Sequence, residues 1–355
     1  MRFLLHGATN WNATNFGDFL YAYEIFEYLK NNGDNEVGFY DASEYFIKYI
    51  TEKGHKVDDV SINSADYLVY IPGGYFGEGH NARLLDTGIQ FVRFMPFGIL
   101  GALKKKKIVT VGVGAGPIDR FFMKWSIRYI CKNTSAITVR DEESQKALEE
   151  IGFKGIPEYS DMMLAYDLKK LSEATAQTDK VKEYVGENKL LLVHYNHSVE
   201  ARDKFSETVS EFLKDNNGYK VVIASDSVLP YEEEYYEKFV SDFKGDNFHF
   251  VYDNPYELLQ LLNMADAILT CKLHVGVVGC MFQKSVVCAA EHPEKSIRFY
   301  GFINRPENCV SLYEASAQQI KNCLNENCDK AVSIPDELTE KAKKHWSVLD
   351  NLLER

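Results

Sequence analysis

The sequence predicts an α/β protein built on two open sheets. Short apolar runs typical of buried strands alternate with helical stretches along most of the 355 residues. A polar, helical segment from Leu168 to Asn188 separates two such series and marks the connection between domains. We expect a first domain over residues 1–170 and a second over 171–332. An amphipathic terminal helix should occupy residues 333–355.

Composition narrows the choice of partners and compartment. Fifty-two acidic residues against 40 basic ones give a formal net charge of −12, which disfavours nucleic acid as a partner. The dense basic run Lys104 to Lys107 precedes an apolar run, and we interpret it as the solvated start of a strand rather than a binding patch. Without a signal region or an apolar run of spanning length, we expect a cytoplasmic protein whose membrane association is at most peripheral.

The seven cysteines include no C-x-x-C pair, and no cluster of carboxylates suggests a cation site. We therefore expect reduced cysteines and no metal.

The first strand, Phe3 to Leu5, is followed by a polar loop and then by a helix. The loop contains Asn15 and Gly17, and Asp18 stands where an N-cap is expected, so Asp18 is either a ligand or only structural. The spacing of the glycines does not fit a dinucleotide-binding turn.

Three further groups follow apolar runs in the first half. Gly73 and Gly74 come after the run that begins at Asp66, and Gly114 comes after the run that begins at Lys107, so each is expected in a loop that lets backbone approach a ligand. Tight turns explain either loop equally well. Arg140 ends a strand before a helix. Since the carboxyl ends of parallel strands line the ligand crevice, Arg140, both glycine loops and the Asn15 loop should share one rim.

The stretch from Ala265 to Cys280 contains the residues that point most clearly to a binding or catalytic site. An apolar strand is followed by Lys272 and His274 and then by small residues that suit a packed helix. In extended backbone Lys272 and His274 would project to the same side, near the first N–H groups of that helix, and together they would form an anion site. A solvated lysine beside a histidine that caps the helix fits the local pattern equally well. Glu291 and Lys295 follow the next strand and are close enough in sequence to reach the same place.

Taken together, these motifs resemble the polysaccharide pyruvyl transferase family. The resemblance rests on Asn15, Gly17 and Asp18, on Gly73 and Gly74, on Gly114 and Pro117, on VRDEES from Val139, on Ser160 and Asp161, and on LTCKLHVGVVG from Leu269. It implies two Rossmann-like domains facing across a cleft, similar to the GT-B glycosyltransferases, with the C-terminal helix crossing back to the first domain. The family has arginine where this chain has Lys272, which keeps the charge but loses the bidentate fork.

The resemblance also implies an activity. A pyruvyl group would pass from phosphoenolpyruvate, as donor substrate rather than cofactor, to a sugar of a cell-surface polysaccharide or exopolysaccharide, giving a ketal and free phosphate. The acceptor would be a sugar or a lipid-linked oligosaccharide. His274 would be the acid/base, with Lys272 and Arg140 as anion holders. The remaining substrate-site residues would be Asn15, Gly17, Asp18, Gly73, Gly74, Gly114, Glu291 and Lys295.

Two other classes of function share these features. A GT-B glycosyltransferase would use a nucleotide sugar and could hold its ribose through Glu291. A non-catalytic glycan or sugar-phosphate binder would consume no donor. The helix N-terminus and Lys272 both favour a neutral His274 in the free protein, and a phosphate or carboxylate that enters the cleft would favour its protonation.

Overall fold

The chain folds into two compact units. The computed structural model describes residues 1–78, 82–229, 238, 239, 241, 243 and 245–354. The first unit consists of Met1–Thr14, Asp18–Tyr166 and Asp336–Arg355, and the second of Asn15–Gly17 and Asp167–Pro335. Each unit holds one six-stranded sheet whose paired strands are parallel, which confirms the predicted α/β class with two sheets. Unlike the predicted first domain, the first unit leaves out residues 15–17.

The first unit alternates strands and helices. Its strands are β1 (Arg2–His6), β2 (Glu36–Phe39), β3 (Tyr67–Tyr70), β4 (Gly73–Phe76), β5 (Lys107–Ala115) and β6 (Thr134–Val139). The helices between them are α1 (Phe16–Asn31), α2 (Glu44–Glu52), α3 (Leu84–Leu103), α4 (Phe121–Lys132) and α5 (Glu142–Glu150). The strand order is β2-β1-β3-β5-β4, and β6 also pairs with β5.

The glycines predicted in loops lie in strands instead. β5 is nine residues long, so both β3 and β4 pair with it, β3 near its start and β4 near its end, where Gly73 pairs with Val113. Pro72 has no N–H to donate to a ladder, which fits the break between β3 and β4. The loop prediction was therefore wrong for Gly73 and Gly74, and also for Gly114, which is the eighth residue of β5.

The second unit repeats the alternation. Its strands are β7 (Lys189–His194), β8 (Tyr219–Ala224), β9 (Asn247–Phe250), β10 (Ala267–Thr270), β11 (Ser285–Ala290) and β12 (Cys309–Ser311). Its helices are α6 (Ala176–Val185), α7 (Val199–Asp215), α8 (Pro255–Met264), α9 (Leu273–Met281), α10 (Pro293–Phe302) and α11 (Ala317–Asn327). Short 3-10 helices cover Met162–Ala165, Leu168–Leu171 and Pro306–Asn308. The polar segment that we predicted as a connection therefore contains α6.

The second sheet has one topological switch point. Its order is β12-β11-β10-β7-β8-β9, so the chain moves outward from β7 to β9 and then returns to the other side of β7. Ligands of such sheets bind outside the carboxyl ends of the two strands that flank this reversal. Those strands are β7, which ends at His194, and β10, which ends at Thr270.

The terminal helix α12 (Asp336–Leu353) belongs to the first unit, as the resemblance implies. The ring of Trp346 stacks on that of Tyr28 with 4.2 Å between centroids. Buried His345 donates from Nε2 to the Ser160 carbonyl at 2.9 Å, and its Nδ1 lies 2.9 Å from Thr138 Oγ1. Thr138 Oγ1 itself accepts the Gly112 N–H, so its proton is available to His345 Nδ1. The network suits a neutral imidazole.

The interior is apolar in both units. The seven cysteines are free thiols and are all buried, where cysteine packs as a small apolar residue. No helix in the described part of the chain combines the length and the apolar character needed to cross a membrane.

Two buried histidines should make the protein sensitive to mild acid. Burial lowers the pKa of His6 and of His345 from 6.5 to about 4. As pH falls below 6.5, the two histidines therefore become protonated in the unfolded chain before they do so in the folded protein. The free energy of unfolding is consequently highest above pH 6.5 and decreases towards pH 4. At pH 5 the protonation of each histidine should lower the free energy of unfolding by about 2 kcal/mol relative to its value at neutral pH.

We expect urea unfolding at pH 7 and pH 5 to show this loss, and His345→Gln to reduce the difference between the two pH values. An equal pH dependence in wild type and His345→Gln would contradict the assignment.

Candidate functional site

Lys272 and His274 lie at the start of α9. Lys272 is the N-cap residue, in extended backbone with φ −110° and ψ 136°, and its side chain does not cap the helix. The helix begins at Leu273, so Lys272 is in extended backbone whereas His274 is already in the first turn. Both residues nevertheless stand where the first N–H groups of the helix lack partners within the helix.

Lys272 is paired with Glu291, the residue that follows β11. The Lys272 Nζ donates to Glu291 Oε2, and both side chains are largely buried. Burial by itself would lower the pKa of Lys272, but the hydrogen bond to Glu291 and the neighbouring acidic groups raise it above its usual value. Lys272 is therefore a cation held in place by a carboxylate.

Lys295 lies in the first turn of α10, next to its N-cap His292. Burial, and then the charge of Lys295, lower the pKa of His292, and Lys272 contributes in the same direction. The structure thus groups Lys272, Glu291 and Lys295 around one end of the second sheet.

Gly17 provides the surface on which His274 packs. A Cβ built on Gly17 would lie 2.1 Å from His274 Nδ1, 2.5 Å from its Cγ and 2.7 Å from its Cβ. Such distances are impossible, so only glycine allows the imidazole to lie against this backbone. The sequence motif that contains Gly17 is thereby connected to the motif that contains His274.

Asp226, which sequence reasoning missed, holds the segment that carries Gly17. Its backbone carbonyl accepts the Phe16 N–H at 2.8 Å, and its Oδ2 accepts from Asn15 Nδ2 at 3.1 Å. Its Oδ1 accepts from Asn196 Nδ2 at 2.9 Å. Asn15 therefore has a visible structural role, which is to fix residues 15–17 at the end of β8.

A buried histidine and threonine lie at the switch point between β7 and β10. His194 Nδ1 is 2.9 Å from Thr270 Oγ1, and that oxygen accepts the Lys272 N–H at 3.0 Å. On its other side, His194 Nε2 is 3.6 Å from Asp226 Oδ1, longer than a hydrogen bond. The chain of contacts from Asp226 to Lys272 runs along the carboxyl ends of β8, β7 and β10.

The charge of Asp226 is stabilised by its neighbours. Burial raises its pKa, but the imidazole of His194 and the charges of Lys272 and His274 outweigh burial and hold the pKa below its usual value. Asp226 is consequently an anion that faces both residues of the candidate site. A cation, an imidazole, a carboxylate and a helix N-terminus can together bind an anion and move a proton.

The first unit forms a separate group around Arg140, which follows β6. A Cβ on Gly114 would lie 3.1 Å from Arg140 Nη2, and one on Gly74 would lie 4.0 Å from the same atom. The guanidinium therefore lies against Gly114, the Cα of Gly74 is close to the same position, and Gly74 is exposed. Gly73 lies in β4 next to Gly74, and its φ angle is positive.

Arg140 is surrounded by acidic groups. Its Nε is 3.7 Å from Asp141 Oδ2, while Asp161 accepts a hydrogen bond of 2.7 Å from buried Tyr21. Burial by itself would lower the pKa of Arg140, but the charges of Tyr21, Asp161 and Asp141 raise it. Asp161 and Tyr21 were not predicted as site residues, although Asp161 belongs to a motif that resembles the family.

Asp18 is not the N-cap of α1, because the helix begins two residues earlier, at Phe16. The carboxylate lies in the first turn, where it complements the helix dipole. Burial is the main cause of the raised pKa of Tyr75, and the charge of Asp18 raises it further. The same charge opposes the lowering of the Arg93 pKa by burial. Asp18 therefore belongs to the first unit, whereas Asn15 and Gly17 belong to the second.

Of the residues predicted to share a rim, Gly74, Gly114 and Arg140 lie together in the first unit, and Asn15 and Gly17 belong to the second. In the residues that the structure describes, no three His, Cys, Asp or Glu side chains are placed to hold a metal ion.

Solved structures share this fold over their whole length. The UDP-GlcNAc 2-epimerase of Methanocaldococcus jannaschii matches with a TM-score of 0.67 and 10% identity over 99% of both chains. The enzyme of Neisseria meningitidis, bound to UDP-GlcNAc, matches with 0.65 and 11% over 100% of both. Anabaena Alr3699/HepE in complex with UDP-glucose matches with 0.58 and 12% over 99% of this chain and 98% of that one. At these identities the likeness shows the fold alone, which is GT-B-like.

A sequence comparison identifies the family. No curated protein sequence matches the chain, but the family described as polysaccharide pyruvyl transferase matches residues 15–293. That span begins at the residue that Asp226 holds and includes Arg140, Lys272, His274 and Glu291, while Lys295 lies just beyond it. The match covers well over half of the chain, which therefore belongs to the polysaccharide pyruvyl transferase family.

Proposed function

We propose that the protein transfers the pyruvyl group of phosphoenolpyruvate to two hydroxyls of a sugar in a cell-surface polysaccharide or exopolysaccharide. The observation that carries the proposal is the packing of His274 on Gly17, in the first turn of α9 and next to Lys272. These are residues of two family motifs, and together they supply a proton carrier beside an anion site. The acceptor is a sugar or a lipid-linked oligosaccharide.

The donor is held by its negative charge. Lys272 offers one ammonium group, and the first N–H groups of α9 offer further donors for phosphate or carboxylate oxygens. Lysine cannot form the bidentate pair of an arginine, so the N–H groups have to satisfy the remaining oxygens. Glu291 keeps Lys272 oriented before the donor arrives and then competes with the donor for it.

His274 supplies the proton that starts the reaction. It protonates the methylene carbon of phosphoenolpyruvate, which becomes a methyl group and leaves C2 electrophilic. One sugar oxygen bonds to C2 and gives up its proton, then the C2–O bond to phosphate breaks, and the second sugar oxygen bonds to C2 to close the ketal. Of the two hydroxyl protons, one replaces the proton from His274 and the other leaves with phosphate, so the histidine is regenerated.

Arg140 remains our proposal for an anion holder in the first unit. Exposed Gly74 has no side chain to cover this part of the surface, and a Cβ there would lie 4.0 Å from the guanidinium. Asp18, Gly73 and Lys295 complete the proposed substrate-binding set.

A glycosyltransferase that uses a nucleotide sugar is the second candidate. Of the three solved structures named above, two contain UDP-GlcNAc or UDP-glucose, which favours a test with UDP sugars. Against this candidate, the Glu291 carboxylate that would bind ribose is already paired with Lys272. A non-catalytic glycan or sugar-phosphate binder would retain the anion site without turnover.

Ligand-dependent thermal unfolding distinguishes these candidates. We expect phosphoenolpyruvate at a hundred times its dissociation constant to stabilise the protein by about 2.7 kcal/mol, and UDP-GlcNAc and UDP-glucose to have no comparable effect. Release of inorganic phosphate that depends on an added sugar would separate the transferase from a binder. Stabilisation by UDP sugars but not by phosphoenolpyruvate would overturn the proposal.

Variants at α9 should separate binding from turnover. His274→Gln should retain most of the affinity for phosphoenolpyruvate and lower kcat by about 100-fold or more, because it cannot carry the proton. Lys272→Ala should mainly weaken donor binding, and Lys272→Arg should restore it because arginine keeps the charge. Calorimetric titration and phosphate release measure the two effects. Full activity in His274→Gln would exclude the histidine as the proton carrier.

Gly17→Ala should act through His274. The new methyl group cannot coexist with the imidazole, so we expect lower stability and lower kcat. Adding His274→Ala removes two of the three closest contacts and should recover part of the lost stability, which thermal unfolding of the single and double variants measures. Gly301→Ala is the matched control, since a Cβ there meets nothing within 4 Å. Strictly additive losses in the double variant would mean that the glycine is needed for another reason.

A further inference from the structure

The charge of the chain is unevenly distributed. Residues 83–132, which include α3 and α4, contain ten lysines and arginines and two aspartates, whereas the whole chain has a net charge of −12. Part of this positive charge is used by the fold, since Lys106 Nζ donates to the carbonyls of Asn63 and Ala65. Lys104, Lys105, Lys124 and Lys132 are exposed. The segment is a basic region on an acidic protein.

The same segment exposes large apolar side chains. Along α3, Leu85, Val92 and Leu103 are 68%, 63% and 64% exposed, and Ile89 between them is 46% exposed. These four residues recur at helical spacing and form an outer stripe, while Phe94 and Phe97 bury the opposite side of the helix. An apolar stripe on the solvent side of a helix is not required by the core.

Helix α4 extends the apolar surface with aromatic residues. Phe121 is 82% exposed, and half-exposed Trp125 stacks on Tyr129 with 5.6 Å between centroids. The two helices are joined by an edge-to-face contact of Phe91 and Phe122. Beside this contact, a groove of about 720 Å³ is lined by Trp11, Leu85, Ile89, Val92 and Phe122, among others. The apolar residues therefore form one continuous patch with lysines at its edge.

We propose that this α3–α4 face docks on an anionic phospholipid surface. Tryptophan, phenylalanine and leucine enter the boundary between headgroups and acyl chains, and lysines at the edge attract anionic headgroups. A second copy of the chain is a poorer occupant, because a symmetric contact would bring the lysines of both copies together. On this proposal Lys104 and Lys105 bind headgroups, a role that the interpretation of Lys104 to Lys107 as the solvated start of a strand did not give them.

Vesicle binding tests the proposal without donor or acceptor, so its outcome is independent of the proposed function. We expect the protein to sediment with vesicles that contain phosphatidylglycerol and much less with vesicles of pure phosphatidylcholine. Lys104→Ala combined with Lys105→Ala should weaken binding roughly five-fold for each lysine removed. Leu85→Ser combined with Val92→Ser should weaken it by at least about ten-fold. Emission of Trp125 should shift to the blue on binding, and Trp125→Phe should reduce that shift.

Matched controls use exposed residues outside α3 and α4. Lys154→Ala with Lys330→Ala removes the same charge, and Val199→Ser with Ile297→Ser removes exposed apolar groups from the second unit; both should bind like wild type. Equal binding to both vesicle types would overturn the proposal, as would α3 variants that bind like wild type. A dimer in analytical ultracentrifugation that Leu85→Ser with Val92→Ser dissociates, without vesicle binding, would show instead that the face joins two copies.

Discussion

A buried carboxylate, Asp226, is the constraint on which the candidate site depends. It binds the Phe16 N–H through its carbonyl and Asn15 through its side chain, and thereby fixes Gly17 where the imidazole of His274 packs on it. Burying an unpaired charge would be costly, but Asn15, Asn196 and His194 surround this one. The second unit therefore holds a segment that is distant in sequence, and two family motifs become one site.

Much of the fold could be predicted, because strand and helix patterns are local. The predicted first strand, Phe3 to Leu5, lies within β1, the strand and helix predicted around Lys272 are β10 and α9, and the predicted terminal helix is α12. The prediction failed where the conformation of a residue depends on a partner strand. Glycine is common in turns, but Gly73 and Gly74 lie in β4 and Gly114 lies in β5, and these two strands pair with each other. Nothing local to a glycine reveals that pairing.

The sequence predicted that some residues of the candidate site lie together, but it did not reveal the residues that support them. Lys272, His274 and Glu291 lie together at the ends of β10 and β11, as their positions after strands suggested. His194 and Asp226 were missed, although they also stand at strand ends, because the rule was applied to the first sheet and not to β7 and β8. The contact between Gly17 and His274 joins residues more than 250 positions apart, and a single sequence contains no signal for it.

The structure also changes the electrostatic argument for His274. Sequence reasoning counted only positive neighbours, the helix N-terminus and Lys272, whereas Asp226 faces the site and Glu291 neutralises Lys272. The charges around His274 therefore include negative as well as positive groups. A bound anionic donor would raise the pKa of His274 whether the ring is neutral or charged in the free protein, because added negative charge beside an imidazole favours its protonated form. Coupling between donor binding and proton supply thus requires only that phosphoenolpyruvate bind near His274, whatever the starting state of the ring.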